Sequence, residues 1–171
     1  MAKPAPPVES AESKAHFLEL LKAFDTATVV TRAGDGSLHG RPLSIAGRDD
    51  DATLWFVTSV QSPKVKELLA DARTLVVLQT GSRFAVLEGT AGIVRDRAKI
   101  EELWSESQRI WFENERDPDI ALVRFSPVSA EYWDNAGAQG VKFAFHALKA
   151  VVTGEPLTDR GDPKQHGKVS L

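Results

Sequence analysis

Cysteine is missing altogether from the 171 residues of this chain, which excludes disulfides, a thiol nucleophile and thiolate metal ligands. Any redox chemistry must therefore come from a borrowed cofactor. The glycines fall in neither phosphate-loop nor dinucleotide-binding spacing, and no serine sits in a nucleophile-elbow pattern. The histidines, at positions 16, 39, 146 and 166, include no i, i+4 pair, so they read as structural or solvated and no metal is expected. A net charge of -3 without a concentrated basic block argues against nucleic acid or a membrane surface as partner. No apolar run approaches membrane-spanning length. The opening MAKPAPPVES also lacks the apolar core of a secretory signal, so the expectation is a cytoplasmic protein.

What is present is organised around residues 54–69, LWFVTSVQSPKVKELL. Leu54, Trp55, Phe56 and Val57 form an unbroken β-prone apolar run, the pattern of a strand covered on both faces. Thr58 and Ser59 end it with hydroxyls. Ser62 is a good N-cap residue and Pro63 suits the first helical position, with Val65, Leu68 and Leu69 expected on one helical face. The helix N–H groups, the hydroxyls of Thr58, Ser59 and Ser62, and the Lys64 ammonium would then meet in one small volume, the chemistry a phosphate requires. The same residues also make an ordinary capped surface helix, and the sequence leaves both readings open.

The remaining patterns describe one domain over residues 11–150. A disordered N-terminus (1–10) precedes it, and a disordered tail (151–171), rich in Gly, Pro and charge with little to bury, follows. Phe17, Leu20, Leu21 and Phe24 recur at helical spacing and predict an amphipathic helix lying over a sheet. Residues 27–31 read as the first strand. Gly34, Asp35 and Gly36 turn it into a second strand over 38–46, where Arg41, Leu43 and Ile45 share a face and Pro42 implies a bulge or an edge. Further strands are expected at 73–80 and 84–94, the latter bent at Gly89 and Gly92. Asp96 caps a helix whose stripe of Ile100, Leu103, Trp104 and Trp111, open to a break near Ser107, reads as core or subunit interface. Two short strands at 120–125 and 130–134 are split by Pro127.

Strands separated by hairpin-length gaps predict a mainly β domain, an antiparallel sheet or barrel with flanking helices. The doubly apolar runs at 54–57 and 75–78 offer more buried surface than one barrel interior needs, which predicts a homodimer. Arg41 and Lys64 stand out as a pair. Each alone is an ordinary surface charge; together, on neighbouring strand and helix, they could clamp a phosphate. Trp133, beside Tyr132 at a strand end, reads either as packing or as the wall of a planar ligand.

GRPLS at 40–44, LWFVTSVQSPKVKEL at 54–68, VLEGTAGIV at 86–94 and WFENERDPDIALVRFSPVSAEYWD at 111–134 together resemble the pyridoxamine 5′-phosphate oxidase-like superfamily, in particular its general stress protein 26-like FMN-binding branch. The resemblance implies a split β-barrel of six or more antiparallel strands, a homodimer, and FMN, or FAD, bound at the subunit interface. It assigns Arg41 to the flavin phosphate and Pro42 and Leu43 to the isoalloxazine edge. Val57, Thr58 and Ser59 match the strand-end residues, Ser62 and Lys64 the phosphate motif, and Trp133 a flavin contact from the partner chain. The implied activity is that of a flavin-dependent oxidoreductase in stress response, with a non-catalytic flavin-binding, storage or sensing protein as the alternative. Catalytic residues are not assigned.

Three positions depart from the family pattern: Pro63 replaces an arginine, Ala46 a lysine and Phe84 a glutamine. GVKFAFH, residues 140–146, also lacks the Arg-x-His that holds the vitamin B6 phosphate, so oxidation of vitamin B6 is not expected.

Overall fold

The helical spacing near the start of the domain is realised in α1 (Ala11–Leu21), which buries Phe17, Leu20 and Leu21, with Phe24 buried just beyond its end. The computed structural model describes residues 11–136 and 164–171. β1 (Thr26–Arg32) and β2 (Leu38–Ser44) form the expected hairpin, Val29 opposite Arg41, and Gly36 supplies the positive φ its turn requires. β2 is an edge strand, which is how it tolerates Pro42. Arg41, Leu43 and Ile45 do share the more buried face.

After β3 (Gly47–Arg48), β4 (Leu54–Ser59) and α2 (Pro63–Ala70) occupy the stretch that dominated the sequence. β5 (Arg73–Thr80), β6 (Arg83–Val94), α3 (Arg97–Leu103), a 3-10 segment (Glu106–Ile110), β7 (Ile120–Asp134) and β8 (His166–Ser170) complete the described chain. The strands make one antiparallel sheet in the order β2-β1-β5-β6-β7-β4-β3, with β8 added to β7. This curled sheet with flanking helices is a split barrel.

The continuous apolar run of β4 is explained by two separate packing zones. Leu54 and Phe56 enter the barrel interior with Val76, Leu78, Leu87 and Phe125. Trp55 and Val57 face the other way, against Ile100, Ile120 and Leu122 beneath α3. Trp55 is further held by its indole N–H to Asp49 at 2.8 Å and by the Lys99 ammonium 5.0 Å from its ring centre.

Three expectations are corrected. Pro127 does not split two strands: β7 runs unbroken, because Val128 bulges where the register against β6 shifts at Glu88 and Gly89. The register shift falls at Gly89, where a Cβ would meet the Ser126 and Pro127 backbone, whereas pairing with β7 runs on through Gly92, which has open space around it. The segment expected as a disordered tail ends in β8, whose Gly167 and Val169 are buried and whose Gly167 backbone lies flat against the Tyr132 ring. Leu69 is 73% exposed, since α2 turns only Val65 and Leu68 inward. The Trp104–Trp111 stripe does break where the sequence allowed it: α3 stops at Leu103, a 3-10 segment carries the chain past Ser107, and Trp111 ends 79% exposed. Residues 1–10 and the GVKFAFH stretch lie outside the described residues. No helix among the described residues is long and apolar enough to cross a membrane, and no group of three His, Asp or Glu there could hold a metal ion.

Candidate functional site

β4 ends and α2 begins within three residues, and the geometry of that junction determines what the hydroxyls can do. Ser62 occupies the N-cap position with extended backbone, and Pro63 follows at the first helical turn, yet the Ser62 hydroxyl makes no capping bond. It accepts instead from Lys64 Nζ at 2.7 Å. Thr58 Oγ1, at the end of β4, accepts from the same ammonium at 3.0 Å. Lys64 is half-buried and lies within 4.0 Å of no carboxylate among the described residues. Burial, reinforced by the nearby Arg41 charge and opposed by Glu67, holds its pKa below the ordinary lysine value. A desolvated cation with hydroxyl partners alone is an electrostatic vacancy for an anion.

Arg41 projects from β2 toward the same place, and its guanidinium is already engaged. Nη1 donates to Glu67 Oε2 at 2.8 Å and to Thr31 Oγ1 at 2.8 Å, while Nη2 donates to Glu67 Oε1 at 2.9 Å. Thr31 in turn donates to Glu67 at 2.5 Å, and His39 lies 2.8 Å from the other carboxylate oxygen. The Arg41 Nε–H makes no hydrogen bond among the described residues. The sequence reading missed Glu67 and His39 entirely; Glu67 is 26 residues from Arg41 and looks like an ordinary solvated helix position.

The Arg41 hydrogen bonds, helped by those from Thr31 and His39, lower the Glu67 pKa from 4.5 to about 2. A depressed carboxylate pKa contributes stability that is complete above its unfolded value and is lost as the pH falls toward the folded one. Acid unfolding of the wild type should therefore carry a Glu67 component between about pH 4.5 and about pH 2, which Glu67→Gln removes. Melting temperatures recorded across that window for both proteins check this; parallel pH profiles would contradict it.

Arg41, Thr58, Ser62 and Lys64 open onto a cavity of about 890 Å³, within the range of about 300–1,000 Å³ usual for small-molecule sites. Of the residues singled out from the sequence, Arg41, Pro42, Leu43, Val57, Thr58, Ser59, Ser62 and Lys64 all line it. Trp133 does not. It pairs with Phe84 across β6 and β7 and stacks on His166, ring centres 5.0 Å apart. Phe84 thus stands with Trp133 away from the cavity, whereas Ala46 lines it. The opposite wall was not foreseen: Leu103, Gln108, Ile110, Trp111 and Phe112 come from α3, the 3-10 segment and the loop beyond, joined by Asp117 and Asp119. Exposed Trp111 in that irregular stretch was the available signal.

The residues present fit a flavin nucleotide. The ammonium, the uncapped Ser62 hydroxyl and the open Arg41 N–H suit a phosphate, and the backbone of β2 with Val57 and the aromatic wall suits a flat ring.

The family model described as pyridoxamine 5′-phosphate oxidase like matches residues 12–158. No curated protein matches the chain. Among solved structures, general stress protein 26 from Bacillus anthracis str. Sterne aligns with a TM-score of 0.64 at 21% identity, covering 70% of this chain and 92% of its own. The general stress FMN/FAD binding protein of Xanthomonas citri aligns at 0.64 with 25% identity over 75% of this chain and 93% of its own. A pyridoxamine 5′-phosphate oxidase-related, FMN binding protein from Nostoc punctiforme aligns at 0.60 with 15% identity, over 75% and 85% respectively. With the family model covering most of its length over the split barrel described above, this chain belongs to the pyridoxamine 5′-phosphate oxidase like family.

Proposed function

We propose that the chain is a cytoplasmic flavoprotein that binds FMN or FAD non-covalently and works as a flavin-dependent oxidoreductase. The observation that carries the reading is Lys64: an ammonium taken partly out of water, held by Thr58 and Ser62, and facing a cavity of flavin size. In this reading the phosphate sits against Lys64, Ser59, Ser62 and the open side of Arg41, and the ring lies along Pro42, Leu43 and Val57. Trp133 is too far along β7 to take part within its own chain, so its assigned contact requires a second copy, and the protein works as a homodimer. The bound flavin would supply the hydride chemistry, leaving the chain to bind, orient and shield it. The cavity lining fits that division of labour: its ionisable groups are Arg41, Lys64, Asp117 and Asp119, with no histidine among them.

FMN titrated into purified protein should quench flavin fluorescence with saturation, and light scattering on the same sample should give a dimer. Anaerobic NADPH or NADH should then bleach the flavin absorbance. No quenching with either FMN or FAD would sink the reading as a whole; saturation without bleaching by either donor would leave a flavin-storing or sensing protein.

A further inference from the structure

Trp133 does not stand alone on the outer face of the sheet. His166, its cross-strand neighbour on β8, stacks on the indole with ring centres 5.0 Å apart and planes inclined by 14°. Glu131 Oε1 lies 2.8 Å from His166 Nε2. A carboxylate can only accept, so Nε2–H donates to it, and Nδ1 is left without a partner among the described residues. Strand pairing carries this face across the sheet, because directly opposed residues point to the same side. Trp133 is opposite Phe84 and Glu131 opposite Val86, and from Val86 the row continues through Val77 and Thr28 to Pro42. Phe84, Val86 and Val77, with Leu75 and Val30 in the next row, are partly or wholly exposed. An apolar strip thus runs from the Trp133–His166 pair to β2, where Pro42 and Ser44 line the cavity.

A contact between two copies through this strip has a consequence set by strand order. β5 and β6 lie at its centre, with β1 and β2 on one side and β7 and β8 on the other. A two-fold axis running along the strands over that centre lays β8 of one copy across β2 of the other. Resting on the flavin reading above and on the dimer it requires, we propose that each copy supplies His166 to the flavin site of its partner, where the imidazole, oriented by Glu131 and backed by Trp133, contacts the flavin ring over Pro42 and Ser44. The free Nδ1 accepts from an N–H on the polar edge of the ring, and the site gains an imidazole that the cavity's own lining lacks. The last strand of the chain, beyond the residues 12–158 that the family model matches, then belongs to the site as well as to the barrel.

Binding by mixed dimers tests this without any turnover. FMN and riboflavin should each bind His166→Ala and His166→Phe about fivefold more weakly than wild type, because the lost contact is to the ring and not to the phosphate. His166→Phe keeps a flat ring on Trp133 and loses only the nitrogens, so it reports on the contact even where alanine loosens β8. His166→Ala and Lys64→Met chains are then co-expressed with different affinity tags, and the mixed dimers are purified through both. Each mixed dimer has one cavity with Lys64 from the first chain and His166 from the second, so a class of sites with wild-type FMN affinity should appear that neither parent dimer shows. If His166 served its own chain, no such class would form, and its absence overturns the proposal. Unchanged riboflavin and FMN affinity in both His166 variants overturns it too, as does a monomer in light scattering. Wild type that binds neither FMN nor FAD removes the flavin reading and this proposal together; wild type that binds, with any of the other adverse results, removes the proposal alone.

Discussion

Lys64→Met is expected to weaken flavin mononucleotide binding roughly tenfold to a hundredfold, the equivalent of one lost charge-assisted contact of about 1.5–3 kcal/mol. Its melting temperature should stay level or rise. The two outcomes go together because the Lys64 ammonium is half-buried and hydrogen-bonded to Thr58 and Ser62 without an opposing carboxylate, so the folded chain bears a desolvation cost that methionine removes. Arg41→Ala would also weaken binding, but it strands Glu67 beside the cavity and confounds affinity with stability. Lys64 is the cleaner probe. Titration and thermal melts on the same preparation decide the matter: an unchanged dissociation constant would remove Lys64 from the site, and a large loss of stability would mean its role is structural.

The largest loss of stability should come from a glycine far from the cavity. A Cβ built on Gly89 would lie 2.2 Å from the carbonyl oxygen of Ser126 and 2.8 Å from the Pro127 Cα, both backbone atoms that no rotamer change can move. Gly89→Val must therefore push β6 and β7 apart at the bulge that lets Pro127 sit inside a continuous strand. About 3 kcal/mol is expected, the upper part of the usual overpacking range. For a chain of this size that lowers the melting temperature by about 6–12 °C. Gly92→Val is the control, since nothing lies within 4 Å of its Cβ. Equal melting temperatures for the two variants would contradict the account.

Which parts of this architecture could be read from the sequence follows from the range of the interactions involved. The β4–α2 junction was legible because its signals are local: an apolar run, a hydroxyl pair, then serine and proline at a helix start. The side of β2 that bears Arg41 follows from strand alternation alone. Glu67 was invisible because its partners Thr31, His39 and Arg41 are separated from it by a turn of sheet, and spacing along the chain carries no trace of that approach. β8 escaped for a different reason. HGKVS has too little apolar content to announce a strand, and it is recruited by the exposed edge of β7 and by the flat face of Tyr132 that only Gly167 can approach. Pro127 misled because a proline inside a strand normally ends it, and the compensating bulge is visible only once Gly89 is seen opposite.

The seam of the barrel fixes one side of the cavity. β2 pairs only with β1, and β3 only with β4, so the sheet begins and ends with two strands that the chain joins through Ile45 and Ala46, both of which line the cavity. Ile45 N–H is tied to Asp25 and Ala46 N–H to Trp55, each anchoring one side of the gap. The crevice is thus spanned by a dipeptide rather than by a ladder, and strand slippage cannot widen it, because both rims take their register from the strands behind them. Where β2 passes into β3 the distance between the two rims is thus a matter of covalent reach, roughly one peptide span, and only the far wall, from residues 103–112, is left to side chains.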